Sequence, residues 1–343
     1  MRVVSLLLAR VAKRLLAALP AIAGVLVLTF VLLRVLPGDP ASLYATSPSA
    51  GEAEIAAIQA DLGLDRPLPE QFWIYLRDLA RGDLGTSLMT GRPVVADLAR
   101  RLPASLELIA AAFALALLVS LPLGIAAALR PHSLVDLGAR VLATVGIAVP
   151  TFVTGLVLIE IFYVLFGWAP DPTGRLDIFL IPPEQVTGFL GLDALIAGDH
   201  AAFSSALAKL VLPTVTLAVF VMAPMVRITR TAMRAAMASD FVRTAEAMGL
   251  SRFRVVLVYG LGNALLPVLT LCGTVISTLL GASVLVEKVF AWPGIGSYSV
   301  DALMAGDFAA VQGFVLMMAG LFVLMNLAID LCYRAVDPRV SLA

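Results

Sequence analysis

Few side chains in this sequence could carry out covalent or metal chemistry. The 343 residues include two histidines, His132 and His200, and two cysteines, Cys272 and Cys332, which lie in or beside apolar runs. These residues are too few for a metal cluster or a disulfide framework. The sequence also lacks Gly-x-Ser-x-Gly, His-Glu-x-x-His and the phosphate-binding pattern Gly-x-x-x-x-Gly-Lys-Ser/Thr. We therefore expect no catalytic residue, no metal ion and no cofactor bound by this chain.

The most patterned polar stretch is residues 240–267, DFVRTAEAMGLSRFRVVLVYGLGNALLP, which lies between two long apolar runs. Each of its arginines would cost about 2.5–3.5 kcal/mol or more at the centre of a bilayer. The stretch must therefore lie outside the hydrocarbon. Ser239 or Asp240 can cap a helix at its start.

The first residues of this stretch predict a short helix with two faces. Phe241, Ala245 and Met248 fall on one face at i, i+4 and i+7, and Arg243 and Glu246 can pair on the other side. A helix of about two turns is too short to be stable alone. Two interpretations are open: an interfacial helix on lipid headgroups, or a helix that docks into a groove of another protein with Phe241 and Met248 as anchors.

The residues that follow predict a break and a second helix. Gly249 suits the position just after a helix end, where the backbone is left-handed. Ser251 can cap a second helix that runs through Arg252 to Tyr259. We expect residues 240–251 to form a docking element and residues 252–267 to lead into the next apolar run.

The elements around this stretch are those of a membrane protein. The chain is 60% hydrophobic and 14% charged, whereas a soluble protein is nearer half apolar and one quarter charged. Its formal net charge is zero, which gives no basis for binding nucleic acid. Apolar runs of roughly 20 residues predict an all-α polytopic fold with six membrane-spanning helices. The predicted spans are 10–34, 104–129, 139–166, 209–231, 264–286 and 309–332.

The first two predicted spans flank a long extramembrane insertion, residues 37–103. The first apolar run is too long for a signal peptide and no cleavage site follows it, so we expect a retained span. Within the insertion, prolines near helix starts and glycines after helix ends delimit short amphipathic helices. These helices are predicted at 52–62, at 69–80 and from Pro93 to a stop before Pro103.

The distribution of basic residues sets the orientation. With the N-terminus inside, the inner segments carry 14 of the 24 Lys and Arg residues. The outer loops at 167–208 and 287–308 carry two basic residues, Arg175 and Lys288, against eight acidic ones. We therefore predict that both termini and the loop at 232–263 are cytoplasmic, and that the insertion is extracytoplasmic.

Small and hydroxyl residues in the fifth predicted span are candidates for a translocation pathway. Thr270, Thr274, Ser277 or Thr278, and Gly281 form a stripe at helical spacing. The same residue types also favour close packing of membrane helices, so both interpretations are open.

Other polar features lie near the span ends. Glu160 is an intramembrane carboxylate, and it is either a functional residue or a residue at the outer boundary in contact with water. Asp330 and Arg334 share a face with Asn326 and indicate an inner-boundary pair. The segment 292–296, WPGIG, predicts a turn at the outer membrane edge, with a re-entrant gate as the alternative.

Together these motifs resemble the permease subunits of bacterial ABC importers, and more narrowly the inner-membrane permeases of the dipeptide, oligopeptide and nickel group. The polar loop resembles their cytoplasmic EAA loop. The LPGDP motif and the long first outer loop resemble the first of the two paired permeases. The matching segments are LPGDP at 36–40, GDLGTS at 82–87, RLPASLEL at 101–108, PLGIAAALR at 122–130, PTF at 150–152, DFVRTAEAMGL at 240–250, NALLP at 263–267, EKVFAWPGIG at 287–296 and DPR at 337–339.

The resemblance implies a single type I ABC importer transmembrane domain over residues 1–343, in the inner membrane of a bacterium. In that family a second permease completes the pathway, two ATP-binding cassette subunits hold ATP and Mg, and an extracytoplasmic binding protein delivers the substrate. Closure of the ATPases moves the EAA helices and opens the pathway outward. The implied ATPase-coupling residues are Asp240, Phe241, Arg243, Thr244, Ala245, Glu246, Ala247, Met248, Gly249, Leu250 and Ser251.

The resemblance favours di- or oligopeptides as substrates, with nickel complexes, glutathione or another small peptide-like solute as alternatives. Glu160 could then pair with a peptide's amino group. An ion-coupled secondary transporter is the alternative of another class. It would typically show an internal repeat and charged residues at mid-depth, for which Glu160 alone is thin support.

Overall fold

The computed structural model describes residues 16–17, 19–31 and 65–336, with the backbone alone for residues 330–336. Regular structure in this part of the chain is helical, apart from one isolated bridge between Thr86 and Pro93. The helix predicted at 52–62 and the motifs at 36–40 and 337–339 lie outside it. Of the first predicted span, 10–34, the structure describes an apolar helix within residues 19–31.

The helices are numbered here in chain order. They are α1 Leu19–Val31, α2 Leu68–Ala80, α3 Val94–Leu129, α4 Leu134–Ala148, α5 Thr151–Ile159, α6 Leu190–Ile196, α7 His200–Met237, α8 Asp240–Ala247, α9 Arg252–Val289, α10 Ile295–Met304 and α11 Phe308–Val336. Among the described residues, α3, α7, α9 and α11 are long and apolar enough to cross a membrane, and α4 with α5 is a fifth candidate if this bent pair forms one span.

The long helices extend well past the apolar runs that predicted them. Helix α7 has 38 residues and is therefore about 57 Å long, nearly twice the thickness of the hydrocarbon layer. It begins at His200 because the Asp199 side chain accepts a hydrogen bond from the N–H of Ala202 at 2.9 Å. The loop predicted at 167–208 is therefore shorter than expected, and it also contains α6.

The third predicted span, 139–166, is not a continuous helix. It divides at Pro150 into α4 and α5, whose axes differ by 107°, and α5 continues as a π-helical turn over Glu160–Leu165. Val149 has an extended backbone, with φ −99° and ψ 126°. Proline disfavours the helical conformation of the residue before it, and this steric restriction ends α4.

The helix predicted from Pro93 does not stop before Pro103. Helix α3 continues through that proline to Leu129. A proline within a helix costs about 3 kcal/mol. Full burial of one leucine contributes about 1.5–3 kcal/mol, and Leu98 and Leu108 are fully buried on either side of Pro103.

The chain forms two compact units, and the first comprises Met1–Pro103 and Gly294–Val323. In it, α2 places Phe72 and Tyr75 against Phe30 of α1, with ring centroids 5.0 and 6.0 Å from that of Phe30. The helix predicted at 69–80 is thus confirmed and packed through its aromatic residues. Asp307 is fully buried and accepts hydrogen bonds from Ser87 Oγ at 2.5 Å and from the N–H of Ala310 at 3.1 Å.

The second unit comprises Ala104–Pro293 and Leu324–Ala343, and α7 is its central helix. Helices α4, α5, α6 and α9 all pack on α7. The packing of α4 requires a glycine, because a Cβ at Gly146 would lie 2.8 Å from the carbonyl oxygen of Val219. Such close approach of small residues is typical of helices that associate within membranes.

Candidate functional site

The predicted docking element is a separate short helix in the structure. Helix α8 spans Asp240–Ala247 and begins after Ser239, whose backbone is extended. Ser239 occupies the predicted capping position, but its hydroxyl donates to the carbonyl of Ala236 at 2.5 Å and does not bind the N–H groups of α8. The side chain thus secures the end of α7, and the hydroxyl leaves the start of α8 uncapped.

The end of α8 is a left-handed turn at Gly249, as the sequence predicts. Gly249 has φ +75°. Its N–H donates to the carbonyl of Glu246 at 2.9 Å, and the N–H of Leu250 donates to the carbonyl of Ala245 at 3.3 Å. These two hydrogen bonds form a Schellman motif, which satisfies carbonyls that the helix end would otherwise leave unpaired.

The inner face of α8 differs from the predicted face. Val242 and Ala245 are buried against Val255 of α9, and Leu250 packs against the same cluster. Of the three residues that the sequence placed on one face, Ala245 is buried, whereas Phe241 and Met248 are exposed; their role as docking anchors stays a prediction. The buried face of this eight-residue helix is narrow, and Val242 lies closer to the centre of that face than Phe241 does.

The outer side of this segment carries large apolar residues. Phe241, Met248 and Phe253 are 42%, 73% and 75% exposed. Around them, Thr244, Glu246, Ala247, Gly249 and Ser251 are also exposed.

The exposed polar residues do not form the predicted ion pair. The sequence predicts that Arg243 pairs with Glu246. In the structure Arg243 instead lies 3.5 Å from Asp240, and both of these side chains are largely in solvent. An ion pair so exposed to solvent contributes about 0–1 kcal/mol to stability. The exposed apolar residues are therefore accompanied by charges of both signs that form no strong ion pair with one another.

The second predicted helix is the first part of a much longer one. Helix α9 runs from Arg252 without interruption to Val289 and includes a π-helical segment, Val255–Leu261. Ser251 takes the predicted position before the helix, with no hydrogen bond from its side chain to the first turn. Since α8 packs on Val255, the docking element is attached to the root of α9.

The predicted polar stripe lies on the same helix, α9. Thr270, Thr274, Thr278 and Gly281 are exposed along one side of it, and Ser277 is half-buried. The hydroxyls of Thr270 and Thr278 donate to the carbonyls of Leu266 and Thr274, at 3.0 and 2.8 Å. Apart from Ser277, the stripe is therefore not covered by the described part of the chain, and its assignment to a pathway stays a prediction.

The other predicted polar positions are dispersed. Glu160 is exposed at the first residue of the π-helical turn. The side chains of Asp330 and Arg334 lie outside the described residues. Trp292 is in a turn between α9 and α10, as predicted; it is 1% exposed, and its indole N–H donates to the carbonyl of Ala104 at 2.8 Å.

A second polar cluster, which the sequence analysis missed, fixes the loop between α5 and α7. Arg175 pairs with Glu107, and its guanidinium lies 5.6 Å from the ring centroid of Trp292. Lys209 is buried and binds both carboxylate oxygens of Asp171, at 2.8 and 2.9 Å. The hydrogen bond from Lys209, followed by that from the Thr173 hydroxyl, lowers the pKa of Asp171. These partners are 68 and 38 residues apart, so no local pattern could reveal them.

Comparison with known proteins assigns the chain to a family. Residues 120–342 match the family described as binding-protein-dependent transport system inner membrane component, and residues 7–109 match the N-terminal family of the same systems. The chain is 45% identical over 320 residues to the probable D,D-dipeptide transport system permease protein DdpB of Escherichia coli strain K12, covering 93% of this chain and 94% of that one.

Two further relatives match over nearly their whole length. The di/tripeptide transport system permease protein DppB of Pseudomonas aeruginosa is 40% identical over 334 residues, covering 97% of this chain and 99% of that one. The glutathione transport system permease protein GsiC of Pectobacterium atrosepticum is 37% identical over 328 residues, covering 96% and 97%. An inward-facing structure of the MetNI methionine ABC transporter has a TM-score of 0.51 over 71% of this chain and 97% of that one, at 19% identity, and supports the fold alone.

The chain belongs to the family of inner-membrane components of binding-protein-dependent transport systems. The predicted resemblance to ABC importer permeases of the dipeptide type is confirmed. The chain is accordingly a multi-pass inner-membrane protein and a transport component.

Proposed function

We propose that this chain is one of two paired permeases of an ATP-driven importer of di- or oligopeptides. Its curated relatives are permeases of dipeptide transport systems at 37–45% identity, which supports this substrate class. Glutathione, itself a tripeptide, is the second candidate, because relatives at 37% identity belong to glutathione transport systems. A substrate-binding protein delivers the solute, and its selectivity decides between the two.

ATP and Mg bind to separate ATPase subunits, which contact this chain through residues 240–251. The observation that carries this proposal is the build of α8. It is a two-turn helix held to α9 by Val242 and Ala245, closed by Gly249, with Phe241 and Met248 exposed beside it. An apolar surface of this kind suits a cleft on a partner protein.

The topology that we propose has six spans with both termini in the cytoplasm, α1 being part of the first span and the bent pair α4 and α5 forming the third. Residues 37–103 lie outside the cytoplasm. Thiol labelling tests this orientation in a variant without Cys272 and Cys332. Thr173→Cys should react with an impermeant maleimide in intact cells, whereas Met248→Cys should react only after the cells are lysed. The reverse pattern would overturn the orientation.

Reconstitution of the whole transporter tests the function. Proteoliposomes with both permeases, both ATPases and the binding protein should accumulate a labelled dipeptide when ATP is present in the compartment of the ATPases. The double variant Phe241→Ser with Met248→Ser should insert normally but lose most ATP-dependent uptake. Uptake by this chain alone, driven by an ion gradient, would instead identify a secondary transporter.

A further inference from the structure

A basic groove lies between α4 and α7, away from the docking element. Its volume is about 510 Å³ and it is open to the surface. Its polar lining residues are Arg140, Thr144, Arg227 and Arg230. Apolar side chains that include Ala143, Ile147 and Val226 form the rest of the lining.

The groove carries an excess of positive charge. Asp136 is buried and pairs with Arg230 at 2.5 Å, while Arg140 is 3.8 Å from its other carboxylate oxygen and half-exposed. Arg227 is exposed and forms no ion pair with any residue that the structure describes. Arg230 and Arg140 share the one carboxylate, and Arg227 adds a third guanidinium, which leaves about two positive charges for a ligand to neutralise.

The three arginines lie where the uncharged parts of both helices end. Residues 210–226 of α7 contain no charged residue, and at 1.5 Å per residue they span about 26 Å, close to the hydrocarbon thickness. Arg227 is the next residue, and Arg140 directly precedes the uncharged stretch 141–159. In the orientation proposed above, on which this inference rests, the groove lies at the cytoplasmic boundary of the membrane.

We propose that the groove binds the phosphate headgroup of an anionic phospholipid from the cytoplasmic leaflet. Guanidinium groups bind phosphate oxygens through two parallel hydrogen bonds, and basic pockets between helices at this depth suit anionic headgroups. The lining beside the arginines is apolar, and Val141 and Val145, on the neighbouring side of α4, are half-exposed. An acyl chain can therefore follow α4 from the headgroup into the bilayer.

Native mass spectrometry of the complete transporter tests this site, with phosphatidylglycerol titrated against phosphatidylcholine. Replacement of Arg140 and Arg227 by Gln should lower the preference for phosphatidylglycerol about 25-fold, from about five-fold for each of the two charges. The matched control replaces Arg130 and Arg254 by Gln. These are two exposed arginines outside the groove, on segments assigned to the same side of the membrane, and their loss should leave the preference within about two-fold.

Three results would overturn the proposal. One is an unchanged lipid preference in the Arg140 and Arg227 variant. Another is displacement of phosphatidylglycerol by millimolar inorganic phosphate, which would assign the groove to a soluble anion. The third is binding to the isolated permease but not to the complete transporter, which would place a subunit over the groove. Lipid binding is measured without transport, so a failure of peptide uptake in the separate reconstitution leaves this result interpretable.

Discussion

Replacing Gly249 by Val tests whether the left-handed turn holds the docking element in place. Gly249 has φ +75°, and beyond its chain neighbours no described atom lies within 4 Å of a Cβ built there, so the substitution acts through backbone strain and not through crowding. A non-glycine residue in this conformation costs about 1–2 kcal/mol, and a β-branched residue is among the least tolerant. Escape from the strain would break the hydrogen bonds of the Schellman motif, worth about 0.5–1.5 kcal/mol each.

Since the chain takes the less costly route, the substitution disfavours the intact loop by about 1–2 kcal/mol, which corresponds to about 5- to 30-fold. Because α8 has only two turns and few buried anchors, we expect most of this cost to reduce the fraction of molecules that are competent to dock. The apparent dissociation constant of the ATPase subunits, measured by titration onto the immobilised permease pair, should rise by up to this factor. ATP-dependent uptake should fall with it, while the amount of inserted protein stays constant.

Two control variants isolate the cause. Gly249→Asn should weaken binding only slightly, since asparagine adopts the left-handed conformation more readily than other residues with a Cβ. Gly262→Val makes the same side-chain change at a helical glycine with φ −54° and equally open surroundings, and should leave binding unchanged. Wild-type affinity and uptake in Gly249→Val would refute the strain argument, as would equal impairment in Gly262→Val.

Three further predictions concern other parts of the chain. Asp171→Asn should lower the thermal midpoint between pH 5 and 8, because it removes the anionic partner of buried Lys209. The pKa of Asp171 is lowered in the fold, so its contribution to stability is complete above about pH 4 and is lost as the pH falls through the lowered value. The thermal midpoints of the wild type and the variant should therefore converge in stronger acid. Arg175→Lys keeps the charge but loses planar contact with Trp292, and should cost about 0.5–1 kcal/mol of unfolding free energy without changing ATPase binding. Thr274→Val should raise the substrate concentration for half-maximal uptake several-fold, with normal insertion, if the exposed stripe lines the pathway; an unchanged value would assign that side of α9 to packing.

The two prolines Pro103 and Pro150 show why sequence patterns located helices better than their ends. Both follow apolar residues, and the sequence pattern predicts a helix stop at Pro103 and places Pro150 within the span 139–166. The structure reverses both outcomes, because whether the chain bends at a proline depends on what packs on either side. A proline removes one hydrogen bond in each case, but the energy that retains or breaks the helix comes from tertiary contacts.

The docking element was predictable where backbone conformation alone decides. The helix end predicted at Gly249 is confirmed, because a left-handed backbone at a helix end favours glycine over other residues. The buried face was not predictable, because Phe241 and Val242 are both apolar neighbours and only the position of Val255 decides which of them points inward. The pair formed by Arg175 and Glu107 likewise depends on a fold that brings distant segments together.

The unbroken course of α9 fixes the number of residues between Ser251 and the exposed threonines more strictly than it fixes their identity. A single inserted or deleted residue between Arg252 and Gly262 would turn the following helix by about 100° and shift it by about 1.5 Å. Thr270 and Thr274 would then leave the side of α9 that they now share, while α8 would stay bound at Val255. Homologous chains can therefore differ in the composition of this segment, but we expect its length to be invariant among them.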